Sequence, residues 1–341
     1  MRRTLSYDDV LLVPQYSNIR SRAEVDPATQ LGRNLNLSLP ILASPMDTIS
    51  EKDMATAMSR AGGAAIIHRY NTVEEQATII AGVKETNSKS LVGAAVGVSG
   101  DYLQRTSVLR AVGVDFICLD VAHGHHIKVK EALVTLRQMV GDMHIMAGNV
   151  ATLEGVNALG EWGADSVRCN IGGGSICSTR IQTGHGLPGL QTILDCAQTD
   201  RDVKIIADGG IRNSGDVVKA LAAGADAVMC GSLFAGTDEA PGKIMEDREG
   251  HKWKIYRGMA SKEAQVEWRG KYASFEGVAT RVPYRGSVVG ILDDLERGIR
   301  SGFSYSGVRT IGELHARAQF VEQTSAAQQE SAPHILRRDW R

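Results

Sequence analysis

The stretch ADGGIRNSGDVVKALAAGADAVMCGS, residues 207–232, holds a complete strand–helix–strand unit. It opens on the end of an apolar run, KIIADG (204–209), and breaks on paired glycines. An amphipathic segment, SGDVVKALAAG, follows and stops at Gly224, a residue suited to ending a helix in the left-handed conformation. A second apolar run, AVMCGS (227–232), comes next. Runs that are apolar throughout, without alternation, fit strands buried on both faces, as in a parallel sheet.

The same pattern recurs along the chain. GVDFICLD from Gly113 and GADSVRCN from Gly163 repeat the glycine-then-strand phrase of GADAVMCG from Gly224. ILASPM (41–46), AAIIH (64–68), VGAAVG (92–97), DFICLD (115–120), HIMAGN (144–149) and DSVRC (165–169) complete a set of eight runs. Eight strand–helix units predict an α/β protein with a single-domain (β/α)8 TIM barrel over residues 41–322, in preference to an open doubly wound sheet. Residues 1–40 read as an N-terminal extension that covers the barrel bottom. Residues 237–285 read as charged and irregular, with an active-site flap at 257–283 after the eighth strand. A helix is expected over SVVGILDDLERGIRSG, with Ser287 as N-cap and Val288, Ile291, Leu292, Leu295 and Ile299 on its apolar face. Ser50 and Asp53 suggest a capping box, Thr152 another helix start, and 323–341 a polar tail that orders only in an assembly.

Composition narrows the function. A formal charge of −1 points to neither a nucleic-acid nor a membrane partner. No apolar run reaches the ~18 residues of a membrane span, and MRRTLSYDDV lacks the apolar segment of a signal peptide. Five cysteines, odd in number and without CxxC spacing, argue against a disulfide framework or a zinc site and for a reducing cytoplasm. Cys118, Cys169 and Cys230 sit in strand-like runs as small hydrophobes.

Cys177 is the exception. It lies in GGGSICSTR (172–180), where glycines let the backbone approach a ligand and hydroxyls surround the thiol. This loop follows the sixth strand, and barrels of this kind place their chemistry at the C-terminal strand ends. Gly209–Gly210 and Gly231–Ser232, after strands seven and eight, suit a phosphate cradle of backbone N–H groups. Asp208 can accept both hydroxyls of a ribose. FMN-binding barrels and sugar-phosphate enzymes use the same corner, so the residues alone leave the phosphorylated ligand open. AHGHH (122–126) reads as a loop, since no metal-ligand spacing appears.

With these features placed, the chain resembles the IMP dehydrogenase/GMP reductase family. The likeness runs through LSYDDVLLVPQYS (5–17), SPMDT, GAAVGV, AGNVAT (147–152), IGGGSICSTR, TGHGLPGL, ADGGIRNSGDVVKAL, GSLFAG, YRGMAS (256–261) and EGVATRVPYRGSV (276–288). The resemblance implies that Cys177 attacks C2 of a bound purine nucleotide, GMP or IMP. It gives phosphate contacts to Ser175, Gly210, Gly231, Ser232 and Tyr256, and the ribose to Asp208. Ser44, Met46, Gly258 and Met259 would flank the base. Asp120, Asn149 and Gly172 would face the nicotinamide of NADPH, and a potassium ion would sit at Gly172, Gly174 and Cys177. A homotetramer is implied as well.

Within the family, three features resemble the reductase, which converts GMP to IMP and ammonia. No regulatory module interrupts the connection from strand two to strand three. The flap SKEAQVEWRGKYASFEG (261–277) is short and lacks an Arg-Tyr dipeptide. FEG at 275–277 resembles the reductase element whose glutamate works with the loop threonine, which makes Thr179 and Glu276 a proton-handling pair. Other phrases look more like dehydrogenases: AAIIH, EGVATRVPYRG and the SAPHI tail. Asn170 stands where the family has glycine, Gly173 where it has proline, and Ser178 where threonine is common. The alternative is an IMP dehydrogenase without the regulatory module, oxidising IMP to XMP with NAD. An FMN-dependent barrel and a catalytically silent nucleotide binder are further rivals.

Overall fold

The computed structural model of the chain describes residues 2–272 and 276–331. The eight runs form β1 (Ile41–Ala43), β2 (Ala64–Ile67), β3 (Val92–Val96), β4 (Phe116–Asp120), β5 (His144–Val150), β6 (Ser166–Cys169), β7 (Lys204–Asp208) and β8 (Ala227–Cys230). They pair in parallel and in chain order, and β8 closes onto β1 with Val228 opposite Ile41 and Cys230 opposite Ala43. The helices that follow them are α1 (Lys52–Arg60), α2 (Val73–Thr86), α3 (Tyr102–Ala111), α4 (Ile127–Val140), α5 (Leu153–Glu161), α6 (Gly189–Cys196), α7 (Ser214–Ala222) and α8 (Val288–Ser306). The fold is the expected (β/α)8 barrel.

The strands are apolar on both faces because each face meets a different layer. On β4, Phe116 and Cys118 turn inward to meet Leu42, Ile66, Met146 and Met229, while Ile117 and Leu119 pack outward under the helices. Gly93 on β3 makes room for this interior: a Cβ there would lie 2.4 Å from the Phe116 ring. The barrel bottom is stoppered by the extension. A hairpin of Thr29–Gln30 and Asn36–Leu37 carries Leu31, Leu35 and Leu37 into the interior cluster.

Helix starts follow the sequence at Thr152, which accepts from Gly155 N at 3.1 Å, and at Ser287, which caps α8 through Val289 N at 3.3 Å. The start of α1 differs. Ser50 is fully buried, and its hydroxyl donates to Ser44 O at 2.7 Å, so it ties down the loop after β1 and no capping box forms.

The stretch expected to be irregular is also ordered. Met245–Glu246, Lys252–Arg257 and Ala279–Pro283 form an antiparallel sheet, with a helix, Lys262–Arg269, in the flap. The strand KWKIYR hides its pattern because it buries the wrong residues for its hydropathy. Lys254 is buried and donates to Thr237 O at 2.9 Å, while Ile255 is exposed. At the other end of the chain, Phe320–Glu322 pairs with Val10–Leu12, and Gln323 N donates to Asp9 O at 2.8 Å. The tail through Ser331, with a helix at Ser325–Glu330, is therefore set by contacts within this chain. Phe275 of the flap element and the expected tail from Ala332 lie outside the described residues.

Candidate active site

Every residue expected at the site lines one cavity of about 310 Å³ at the C-terminal ends of the strands. The barrel brings together loops spread from Ser44 to Gly277 because parallel strands deliver all their C-terminal ends to the same rim.

Cys177 Sγ lies 3.1 Å from Thr179 Oγ1, and that hydroxyl donates to Glu276 Oε2 at 2.8 Å. With the Thr179 hydrogen spent on the carboxylate, its oxygen is left to accept from the thiol. The carboxylate is brought in by backbone pairing. Ser178 N donates to Glu276 O at 2.8 Å, Glu276 N to Ala260 O at 3.1 Å, and Gly277 bridges both Cys177 and Ser261. The four other cysteines are buried, whereas Cys177 is half-buried at the cavity. Burial pushes the Cys118 thiol up to about 12, which keeps it an inert core group at neutral pH.

The phosphate corner has the shape of an anion cradle. Gly209 and Gly210 hold φ at +78° and +77°, in the left-handed region that glycine alone adopts freely. A Cβ on Gly210 would come within 3.1 Å of Gly173 O, and one on Gly231 within 3.0 Å of both Met46 Sδ and Tyr256 Oη. Burial raises the Tyr256 hydroxyl to about 12, so it meets a ligand as a neutral donor. The corner offers an anion backbone amides and, lining the same cavity, the hydroxyls of Ser175, Ser232 and Tyr256.

Asp208 is held by a residue the sequence reading missed. Arg168, buried inside the barrel on β6, donates from Nε and Nη2 to Asp208 Oδ2 at 3.0 and 2.8 Å and from Nη1 to Asp120 Oδ1 at 2.6 Å. Asn149 Nδ2 reaches the same Asp208 oxygen at 2.7 Å. Burial alone would raise the Asp120 carboxyl, but Arg168 and then Arg69 hold it below its ordinary value. Arg69 Nη2 also donates to Asp120 O at 3.2 Å. Gly148 on β5 makes the arginine possible: a Cβ there would lie 2.6 Å from Arg168 Cβ. The signal was present, since a cation between Val167 and Cys169 in a buried run requires carboxylate partners.

Tyr70, at the mouth of the cavity, was also missed. Tyr70 stacks on Trp268 of the flap helix, with ring centroids 6.2 Å apart, and Arg69 and Arg269 stand 5.8 and 5.6 Å from the Tyr70 ring. The flap is anchored again by Arg257, whose Nη2 and Nε donate to Asp47 Oδ2 at 2.6 and 2.9 Å.

The unusual Asn170 and Gly173 prove to be one feature. The Asn170 side chain is buried under the loop that carries Cys177, and a Cβ on Gly173 would lie 2.3 Å from its Nδ2. A residue with a Cβ at 173, proline included, therefore requires the Asn170 side chain to shift. The histidine loop has a structural use: His126 Nδ1 accepts from Lys128 N at 3.1 Å and caps α4. At the expected potassium site, Gly174 O accepts Cys177 N at 3.1 Å, and only the carbonyls of Gly172 and Cys177 accept nothing among the described residues. No step is assigned to a cation there.

Comparison with known proteins agrees with this geometry. The family model for the IMP dehydrogenase / GMP reductase domain matches residues 4–334. The inosine-5'-monophosphate dehydrogenase of Nitrosopumilus maritimus is 33% identical over 97% of this chain and 98% of that protein. A GMP reductase of Leishmania major is 31% identical over 97% of each. Both alignments, of 466 and 478 positions, exceed the 341 residues here, so both relatives carry insertions this chain lacks. Lack of such a segment consequently does not separate the two activities. The crystal structure of a GMP reductase from Trypanosoma brucei in complex with guanosine 5'-monophosphate superposes with a TM-score of 0.92, at 32% identity and over 98% of each chain. No helix among the described residues is long and apolar enough to cross a membrane. The fold, the cavity and these matches together make the chain a member of the IMP dehydrogenase / GMP reductase family of oxidoreductases.

Proposed function

We propose that this protein is a GMP reductase, converting GMP to IMP and ammonia with NADPH. The observation that carries the reading is the Cys177–Thr179–Glu276 chain, which joins a nucleophile to a carboxylate through one hydroxyl. The Cys177 proton passes through Thr179 to Glu276 as the sulfur bonds to C2 of guanine. Glu276 returns that proton through Thr179 to the departing 2-amino nitrogen. That proton makes the amino group ammonia, which departs as the C2–N bond breaks and leaves a thioimidate on Cys177; a proton from solvent restores the thiol only at the end of the cycle. NADPH, when bound, supplies hydride to C2. The C2–S bond then breaks, Cys177 leaves as thiolate, and IMP is formed. Asp208 orients the ribose, the glycine corner fixes the phosphate, and Met46 and Met259 bracket the base. Asp120 and Asn149 face the nicotinamide side.

A second reading, oxidation of IMP to XMP with NAD, is favoured by the several dehydrogenases among the relatives. One preparation decides between them when assayed with GMP plus NADPH and, separately, IMP plus NAD. Consumption of NADPH with release of ammonia supports the reductase, whereas NADH appearing with IMP would replace it. The tetrameric state and cytoplasmic location implied by the family go with this reading and are read out by sedimentation and by cell fractionation.

A further inference from the structure

Arg168 stands between two carboxylates that the reductase reading gives to different ligands. Asp208, at the end of β7, faces the nucleotide ribose in that reading, and Asp120, at the end of β4, faces the dinucleotide. One guanidinium serves both, at 2.8 Å to Asp208 Oδ2 and 2.6 Å to Asp120 Oδ1. The arginine is itself buried, and Asp208 Oδ1 accepts no hydrogen bond among the described residues, leaving that oxygen to a ligand. We propose that Arg168 is a positioning residue that couples the nucleotide and dinucleotide subsites by holding both ligand-facing carboxylates on one guanidinium.

The physical basis is the rigid fork. Guanidinium donors lie in one plane at fixed angles, so a rotation that improves one pair displaces the other. A ligand hydroxyl bound to either carboxylate fixes that plane. The second ligand then meets an acceptor that is already ordered, and binds more tightly. The arrangement leaves little alternative slack, because Gly148 gives Arg168 its space and Asn149 shares the same Asp208 oxygen. By linkage, each ligand must tighten the other by the same factor.

The proposal rests on the ligand assignment above, and calorimetry tests it separately from that assignment. GMP is titrated with and without saturating NADP+, and NADP+ with and without GMP; the pair cannot turn over, because NADP+ has no hydride to give. The same titrations are made with IMP and NADH. The expected result is reciprocal tightening of about tenfold, within the usual range of coupling between sites. In Arg168→Lys, whose point charge serves one carboxylate at a time, the factor falls toward one. Asp120→Asn, which leaves Arg168 its bonds to Asp208, serves as a second variant should the first not fold, and it too loses the coupling. Absence of coupling in the wild type, or the same factor in a folded variant, overturns the proposal. Turnover of GMP with NADPH is read on the same preparation. Coupling without that turnover overturns only the reductase reading; turnover without coupling overturns only the role of Arg168.

Discussion

The hydroxyl of Thr179 donates to the carboxylate of Glu276 at 2.8 Å, across 97 residues of sequence. The bond exists because the end of the flap pairs by backbone with the loop that carries Cys177, at Gly277 against Cys177. Glu276→Gln keeps the size but removes the proton acceptor. The expected loss in kcat is about 10²–10⁴-fold, with the KM for GMP nearly unchanged. If the two residues act as one relay, as proposed, Thr179→Val should cost a similar factor and the double variant little more. Independent, multiplying losses in steady-state assays would break the relay assignment.

Cys177→Ala removes the atom to which C2 is to bond. Turnover of GMP should vanish while calorimetry still detects GMP binding, since the residues proposed to hold phosphate and ribose lie elsewhere in the cavity. Residual turnover at a rate near wild type would exclude a covalent route.

Gly210→Ala places a Cβ at φ +77° and 3.1 Å from Gly173 O. The strain is about 1 kcal/mol, enough to lower the melting temperature by a few degrees. The larger effect falls on the phosphate, which needs the backbone amide at close approach. KM for GMP should rise more than tenfold while guanosine, which lacks the phosphate, is affected far less. Equal effects on the two would remove the phosphate from this corner.

Asn170 and Gly173 should behave as a coupled pair. Gly173→Ala drives a methyl to within 2.3 Å of Asn170 Nδ2, and Asn170→Gly removes that obstacle. In a double-mutant cycle of unfolding free energies, the two changes should interact by roughly 0.5–3 kcal/mol, with the double variant recovering part of the loss of Gly173→Ala. Additive effects would mean that the loop relaxes independently of Asn170.

His144, at the barrel bottom, gives a pH signature of stability. Burial lowers its value from 6.5 to about 4, with the Nε2 atom 2.8 Å from Ser166 Oγ. Between those values the unfolded chain binds a proton that the folded chain does not. Its stabilising contribution is therefore complete above about pH 6.5 and declines as pH falls to about 4, by roughly 3 kcal/mol. Urea midpoints measured from pH 7 to 4.5 should fall more steeply for the wild type than for His144→Gln. Parallel curves would contradict the assignment.

The barrel was legible because its information is local. Each unit carries its own apolar run, its amphipathic segment and a helix-ending glycine such as Gly163 or Gly224, at φ of +111° and +108°. The sheet after the eighth strand was not legible. Lys254 is buried there on carbonyls supplied by Thr237 and Ala240, while Ile255 faces outward. Hydropathy reports the water-facing side only when apolar groups do the burying, and here backbone carbonyls solvate an ammonium. Ser50 misled for a similar reason: a hydroxyl suited to a cap was taken by Ser44 O.

The candidate site divides along the same line. The glycine loop, the cysteine, the phosphate glycines and Asp208 are written in contiguous motifs, so the chain alone determines which chemistry the rim can offer. Which groups meet was decided by closure of the barrel and by pairing of the flap. Arg168 joins Asp120 to Asp208 from 48 and 40 residues away, and Tyr70 meets Trp268 from the flap after the eighth strand. A sequence fixes the periodicity of each element because that depends on neighbours three or four residues apart. It does not state which carboxylates a buried cation will find, because that is set by which strands the closed sheet places side by side.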